Sequence, residues 1–234
     1  MVAAKSSQFI IEWEAKGLTD AVSTSPPSSV KRKRCNSDSL PKRLLICDLN
    51  GVLVLKKASA ATYVRPSAGD FLRRMSRYFT LGIWSSGKRK TIKAILKKVL
   101  PQSDVPFLFV WTQEKCDHVD GVFQKHLPKL WNTFPAYSAR NTVMLPYHEE
   151  YHRELHQILL DDSMAKCSMN PAHTSIHPPP YEGKVGDAEL VEGSRLCQYL
   201  ISLSESNQDI PDFIREQPFD TPTTSRSTVS NGLL

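Results

Sequence analysis

The sequence lacks any apolar run near the roughly twenty residues that a membrane-crossing helix requires, and its first residues hold no apolar signal core. The expectation is a soluble, intracellular chain with no membrane partner. Cysteine is sparse: Cys35, Cys47, Cys116, Cys167 and Cys197 are scattered, odd in number and never paired as Cys-x-x-Cys. That pattern argues against a disulfide framework or a zinc ribbon and suits reduced thiols. No segment repeats. Acidic residues are almost missing from one long stretch, since Lys56 to Lys98 holds Asp70 alone against twelve Lys or Arg. With a net charge of +6 and a pI near 9.0, the imbalance points to an acidic partner such as nucleic acid or a phosphorylated peptide. The 56–98 surface is where that partner is expected, and a merely solvated helix face is the alternative.

Apolar residues make up 40% of the 234, little for a globular chain, which fits one domain with polar ends. Residues 1–41 read as a flexible leader: Ser-Thr-Ser-Pro-Pro-Ser-Ser at 23–29 is linker chemistry, and Lys31-Arg32-Lys33-Arg34 follows. A basic tetrapeptide in a Ser-rich context reads as a nuclear localisation signal, with cytoplasmic and mitochondrial locations as alternatives. Ser37 and Ser39 beside it are candidate phosphorylation sites. Residues 42–219 form the expected domain, and 220–234 a polar, disordered tail.

Within the domain, strand-like and helix-like patterns alternate, the signature of a parallel sheet flanked by helices. Leu44-Leu45-Ile46-Cys47 is a short apolar run that ends on Asp48, with Gly51 three residues on where the chain turns. A loop then leads to Tyr63-Val64-Arg65-Pro66. Pro66 opens a helix burying Phe71, Leu72 and Met75. Tyr78–Trp84 reads as a second strand ending on Ser85-Ser86-Gly87. A helix over about 88–99 follows, then a strand at Phe107–Trp111 and a small hairpin turning at Asp120-Gly121. Ile158-Leu159-Leu160 reads as a strand ending on Asp161-Asp162, Thr174–Ile176 as a short strand, and Glu189–Leu203 as a closing helix. Carboxylates at strand ends suit chemistry, because ligands bind outside the carboxyl ends of such sheets. A strand-end Asp can also simply cap the next turn.

These motifs, in this order, resemble the haloacid-dehalogenase superfamily. Within it the likeness is to the phosphatase-like domain of the RNA polymerase II carboxy-terminal-domain phosphatases and nuclear LIM-interactor-interacting factors. The resemblance rests on Asp48-Leu49-Asn50-Gly51-Val52-Leu53, Arg65-Pro66, Trp84-Ser85-Ser86, Lys125-His126-Leu127, Leu160-Asp161-Asp162-Ser163 and Asn170-Pro171-x-His173-Thr174. It implies a Rossmann-like α/β fold and a Mg²⁺-dependent phosphoserine/phosphothreonine phosphatase acting on phosphorylated protein through an aspartyl-phosphate. In that scheme Asp48 attacks phosphorus, Ser85 binds a phosphoryl oxygen and Lys125 neutralises charge. Asp48, Asp161, Asp162 and the main-chain carbonyl of Asn50 hold the metal. Taken singly, Ser85 also suits a helix N-cap, Lys125 a surface lysine, and Asp161-Asp162 a cap.

Two departures stand out. Family members read D-x-D-x-[TV]-L, whereas this chain carries Asn50 where the second Asp serves as general acid and base. An amide neither gives a proton to a leaving alkoxide nor takes one from water, and losing that catalysis costs roughly 10²–10⁴-fold. The expectation is weak turnover, with a catalytically inactive phosphopeptide-binding or scaffold module as the alternative. The second departure is an insert, 144–158, between Asn141-Thr142-Val143 and the strand that ends at Asp161. Either Ile158–Leu160 rebuild that strand or the sheet is disturbed. The insert contains His148-Glu149-Glu150-Tyr151-His152, an H-E-x-x-H match with His156 one turn further. The match is short and has no distant third ligand.

The leader offers the first test. Replacing Lys31-Arg32-Lys33-Arg34 by alanines should move a fluorescent fusion from nucleus to cytoplasm; an unchanged distribution would leave the run as a solvated tail.

Overall fold

In the computed structural model, which describes residues 42–59, 61–133 and 156–219, the Leu44–Cys47 run forms β1, the central strand of a five-stranded sheet. A strand that is apolar at every position must be covered on both faces. β4 (Thr80–Trp84) and β8 (Gln157–Leu160) flank β1, β5 (Phe109–Trp111) lies outside β4, and β9 (Ser175–Ile176) lies outside β8. Every pairing is parallel. The expected α/β class is therefore what the chain adopts.

Alternation along each strand sorts the core into two layers. Leu45, Cys47, Leu81, Ile83, Val110, Ile158 and Leu160 face one layer; Leu44, Ile46, Trp84, Phe109, Trp111 and Leu159 face the other. The first layer is closed by α1 (Ala68–Tyr78), which buries Ala68, Phe71, Leu72 and Met75, and α2 (Arg89–Val99), which buries Ile92, Ile95, Leu96 and Val99. The spacings are helical, so each helix turns one apolar stripe to the sheet and a charged face outward. On the second layer, Leu130 of α3 (Pro128–Thr133) packs with Trp84 and Trp111.

The elements depart from expectation in three places. The stretch read as a loop before Arg65 is a hairpin, β2 (Val54–Lys56) against β3 (Thr62–Val64), in which Val54 faces Val64 and Leu55 faces Tyr63. Its Lys- and Ala-rich sequence hides a strand too short to show a period. The closing helix is α4 (Arg195–Glu205), starting six residues later than expected. Gly193, at φ 76°, breaks the pattern there, and the Ser194 hydroxyl caps the new start by accepting from Cys197 N–H at 3.2 Å. A final helix, α5 (Ile210–Glu216), carries Pro211 in its first turn and is too short for periodicity to announce it. The anticipated hairpin is present as β6 (Asp117–Val119) and β7 (Val122–Gln124). Its Asp120 and Gly121 both have positive φ, as a two-residue hairpin turn requires.

The strand that ends at Asp161 is intact, and the last two residues of the insert, Gln157 and Ile158, form its first half. Gln157, Ile158, Leu159 and Leu160 pair in register with Leu44, Leu45, Ile46 and Cys47, so Asp161 follows Leu160 level with Asp48 after Cys47. The insert up to residue 155, with His148, Glu149 and His152, lies outside the described residues.

One buried cation ties the loop after β1 to the loop that carries Asp187. Arg65, 1% exposed, donates to both oxygens of Asp187 at 2.7 and 2.9 Å and to the carbonyls of Val52 and Gly51 at 3.2 and 3.4 Å. It thus props the loop after Asp48 from behind. Truncating one member of a buried pair leaves the other uncompensated. Arg65→Ala should therefore lower the unfolding free energy by about 3–5 kcal/mol, read by denaturant titration. A loss under about 1 kcal/mol would show that the loop does not depend on this clamp.

Candidate active site at the carboxyl end of the sheet

The site is built where β1 and β8 end side by side. Asp48 N–H still bonds Leu160 carbonyl at 2.9 Å, and Asp161 N–H bonds Ile176 carbonyl at 3.1 Å, so both carboxylates leave a hydrogen-bonded backbone. Asp48 and Asp161 are buried, and oxygens of Asp48, Asp161 and Asp162 approach within 4.8 Å of one another. His177 Nδ1 lies 2.7 Å from the Asp161 carbonyl, and its Nε2 lies 3.0 Å from Ser175 Oγ, fastening this strand end to β9.

Lys125, expected to neutralise charge, arrives from the end of β7 and is fully buried. Its Nζ lies 3.0 Å from Asp48 Oδ1 and hydrogen-bonds Asp161 Oδ2. The Asn170 motif explains how it is aimed. Asn170 Nδ2 donates to Lys125 carbonyl at 2.7 Å, Asn170 Oδ1 accepts from Leu127 N–H at 2.7 Å, and Lys125 N–H donates to Lys166 carbonyl at 2.8 Å.

A second lysine joins the site that no sequence motif marks. Lys166, on the 3₁₀ turn Met164–Cys167, places Nζ 2.8 Å from Asp48 Oδ2, 3.4 Å from Asp161 Oδ1 and 3.8 Å from Asp162 Oδ1. The available signal was spacing alone: a basic residue four after Asp162 returns to it when the chain turns helically.

Electrostatics follow from these contacts. Burial pushes the Asp48 carboxyl upward, but Lys125 and Lys166 outweigh it and hold Asp48 below the ordinary carboxylate range. Burial likewise disfavours both ammoniums, yet Asp48 and Asp161 raise Lys125 and Lys166 above ordinary lysine. Asp162 behaves differently. Burial dominates there, Lys166 is the main pull the other way, and its carboxyl is pushed up to about 6. Cys47, directly before Asp48, is buried and its thiol is pushed up to about 12, so it stays protonated and offers no nucleophile.

The remaining expected residues stand nearby. Ser85 is buried at the end of β4, next to β1, and its Oγ accepts from Gly87 N–H at 3.3 Å. Asn50 is exposed, and its Oδ1 accepts from Lys56 N–H at 2.7 Å, so the side chain braces the far end of β2. The structure brings Asp48, Lys125, Asp161 and Asp162 together; Ser85 and Asn50 sit at the margin.

The cluster suits a hard divalent cation. Its donors are carboxylate oxygens, and Asp162 Oδ1 is buried with no hydrogen-bond donor. Gly51, at φ 93°, makes room: a Cβ there would run into the Asp162 carboxylate.

A family model, NLI interacting factor-like phosphatase, matches residues 43–211. An uncharacterized FCP1 homology domain-containing protein of Schizosaccharomyces pombe is 25% identical over 155 residues, which are 58% of this chain and 61% of that protein. The chain thus spans about three fifths of that relative's length. Among solved structures, fission yeast RNA polymerase II CTD phosphatase Fcp1-R271A bound to beryllium fluoride is 17% identical. The alignment covers 73% of this chain and 48% of that one, with a TM-score of 0.42. A second structure of Fcp1, described as an essential RNA polymerase II CTD phosphatase, is 16% identical over 78% and 55% of the two chains, with a TM-score of 0.41. The chain belongs to the NLI interacting factor-like phosphatase family.

Gly51 carries the test of the site's geometry. Gly51→Ala should cost about 1–2 kcal/mol from the positive φ alone, measured by denaturation. By displacing Asp162 it should also weaken divalent-cation binding in calorimetry. Unchanged stability and binding would show that Asp162 does not depend on this close approach.

Proposed function

We propose that this member of the family is a Mg²⁺-dependent phosphoserine/phosphothreonine protein phosphatase of low activity. The observation that carries this reading is Asp48: a carboxylate buried at the carboxyl end of β1, with Lys125 Nζ at 3.0 Å and Lys166 Nζ at 2.8 Å holding it below the ordinary carboxylate range. A nucleophile must be deprotonated, and burial alone would prevent that.

Asp48 Oδ1 is already engaged by Lys125 and by Leu49 N–H at 2.7 Å, which fixes the carboxylate plane. Attack on phosphorus in line forms a P–O bond to Asp48 and breaks the bond to the substrate oxygen. A water molecule then cleaves the aspartyl-phosphate and regenerates the carboxylate. Lys125 balances the charge that builds on the transferring group, and the Ser85 hydroxyl, beside Asp48 on the neighbouring strand, orients a phosphoryl oxygen. Asp48, Asp161, Asp162 and the Asn50 carbonyl would hold Mg²⁺, which supplies Lewis-acid stabilisation of the phosphoryl oxygens when bound.

The weak step is departure of the leaving group. Asn50 has no proton to give, and its amide oxygen is committed to Lys56 N–H. That observation favours a second reading, in which the site recognises phosphorylated protein and holds it without hydrolysis.

The two readings separate on the leaving group. A nitrophenolate departs without a proton, whereas a serine alkoxide does not, so wild type should hydrolyse aryl phosphates while phosphoserine peptides persist. Asn50→Asp should raise the phosphoserine rate by roughly 10²-fold or more and the aryl rate far less. A carboxylate oxygen can still accept from Lys56 N–H, so the fold should tolerate the change. Asp48→Asn should abolish Mg²⁺-dependent turnover of both substrates. Turnover in pure Asp48→Asn would remove the aspartyl-phosphate mechanism. No gain from Asn50→Asp in a folded, Mg²⁺-binding protein would favour the binding module.

A further inference from the structure

We propose that Lys166 is a tethered cation at the divalent-metal position of the carboxylate cluster, and that Mg²⁺ binds by displacing its ammonium. The inference rests on the Mg²⁺ site proposed above and adds a residue that none of the sequence motifs assigns.

The division of oxygens between the two lysines is the first argument. Lys125 takes Asp48 Oδ1 and Asp161 Oδ2 from the buried side. Lys166 takes the others: Asp48 Oδ2 at 2.8 Å, Asp161 Oδ1 at 3.4 Å and Asp162 Oδ1 at 3.8 Å. Its ammonium thus lies against one oxygen from each of the three residues that together form the cation cluster. A divalent cation bound by those same oxygens and a monovalent ammonium cannot occupy that position together, because like charges at such separations repel strongly.

Mobility is the second. The Lys125 side chain is fully buried, whereas that of Lys166 is 19% exposed and reaches the cluster from its open side. The Lys166 backbone is pinned by its carbonyl, which accepts from Lys125 N–H at 2.8 Å. The four-carbon stem can therefore swing away while the turn stays in place. Asp162 is the third. It makes the longest of the three contacts, and its Oδ1 has no hydrogen-bond donor, so the ammonium satisfies the cluster incompletely. A cation with more coordination sites would satisfy it better. Once displaced, the ammonium stays tethered beside the cluster, where an arriving phosphoryl group would attract it.

If Lys166 competes with the metal, removing it should strengthen metal binding; if it merely supports the carboxylates, removal should weaken it. The full chain is titrated with MgCl₂ by calorimetry, as wild type, Lys166→Met and Lys166→Gln. The expected result is Mg²⁺ binding tighter by about 10-fold or more in both variants, since removing a competing charge shifts binding by at least the roughly 1.4 kcal/mol that one decade represents. Without metal, both variants should melt below wild type, and Mg²⁺ should raise their melting temperature more than it raises the wild-type value. A measurement on wild type alone covers the case of variants that do not fold. Acetylation by an N-hydroxysuccinimide ester, mapped by mass spectrometry, should be slow at Lys166 without metal and several-fold faster with saturating Mg²⁺. Exposed Lys90 serves as the unchanged control. Equal or weaker Mg²⁺ binding by the variants, or Mg²⁺-independent labelling of Lys166, would overturn the proposal and leave the phosphatase reading standing. No Mg²⁺ binding by any of the three proteins would overturn both.

Discussion

Three carboxylates held together away from water are the constraint on which the rest of the site depends. At 4.8 Å and an effective dielectric constant of about 20, two unit charges repel by about 3 kcal/mol. Desolvation adds to that, since burial disfavours each charge. Such a cluster persists only if cations are delivered to it or if one member ionises less readily. Both devices are present. Lys125 and Lys166 keep Asp48 ionised, while Asp162, the member with the poorest access to either lysine, is pushed up to about 6. Asp48, the proposed nucleophile, and the poorly compensated Asp162 thus differ in environment.

Much of the surrounding structure can be understood as delivery of those cations. The hairpin β6–β7 ends in Lys125, and Asn170 grips the chain on both sides of His126, which fixes the backbone from which the buried ammonium reaches the cluster. The 3₁₀ turn brings Lys166 back over the strand it follows, and one backbone hydrogen bond couples the two lysine segments. Behind the loop, Arg65 draws its own carboxylate, Asp187, into the interior and uses its remaining donor on the Gly51 and Val52 carbonyls. The loop from Asp48 to Leu53 is therefore held between cations on two sides. Gly51 is the point where no side chain fits, because the Asp162 carboxylate lies in the space a Cβ would take.

The sheet was legible because its strands are apolar at every position and end on chemically distinctive residues. β1, β4, β5 and β8 fall within a few residues of where the patterns put them, and α1 and α2 bury the predicted stripes. Local rules that outrank periodicity were harder to see. Gly193 and the Ser194 cap delay α4 even though Leu190 still reaches the core. β2 and β3 have three residues each, too few to show alternation. In the site, Asp48, Asp161, Asp162 and Lys125 were legible through their motifs. Lys166 was not, because only the turn's geometry turns an ordinary lysine toward Asp48. Asn170 was visible as part of a motif but without a role, since its partners are backbone groups 43 and 45 residues away.

Charge balance bears on the enzyme and the binder alike, at a step before Asn50 acts. Counted formally, three carboxylates against two ammoniums give the centre a net charge of −1. A phosphate ester near neutral pH is close to a dianion, so it meets a centre of the same sign. Neither attack by Asp48 nor simple recognition is favoured under those conditions. A bound divalent cation adds two positive charges and so reverses the sign. On the Mg²⁺ site proposed above, the metal would act at the recognition step, before any bond is broken, and a phosphopeptide-binding module built on this site would use it as much as a phosphatase. Asn50 acts later, on the fate of the leaving oxygen. The two readings share one binding state and part only at proton transfer, which is why the leaving group, and not the affinity, tells them apart.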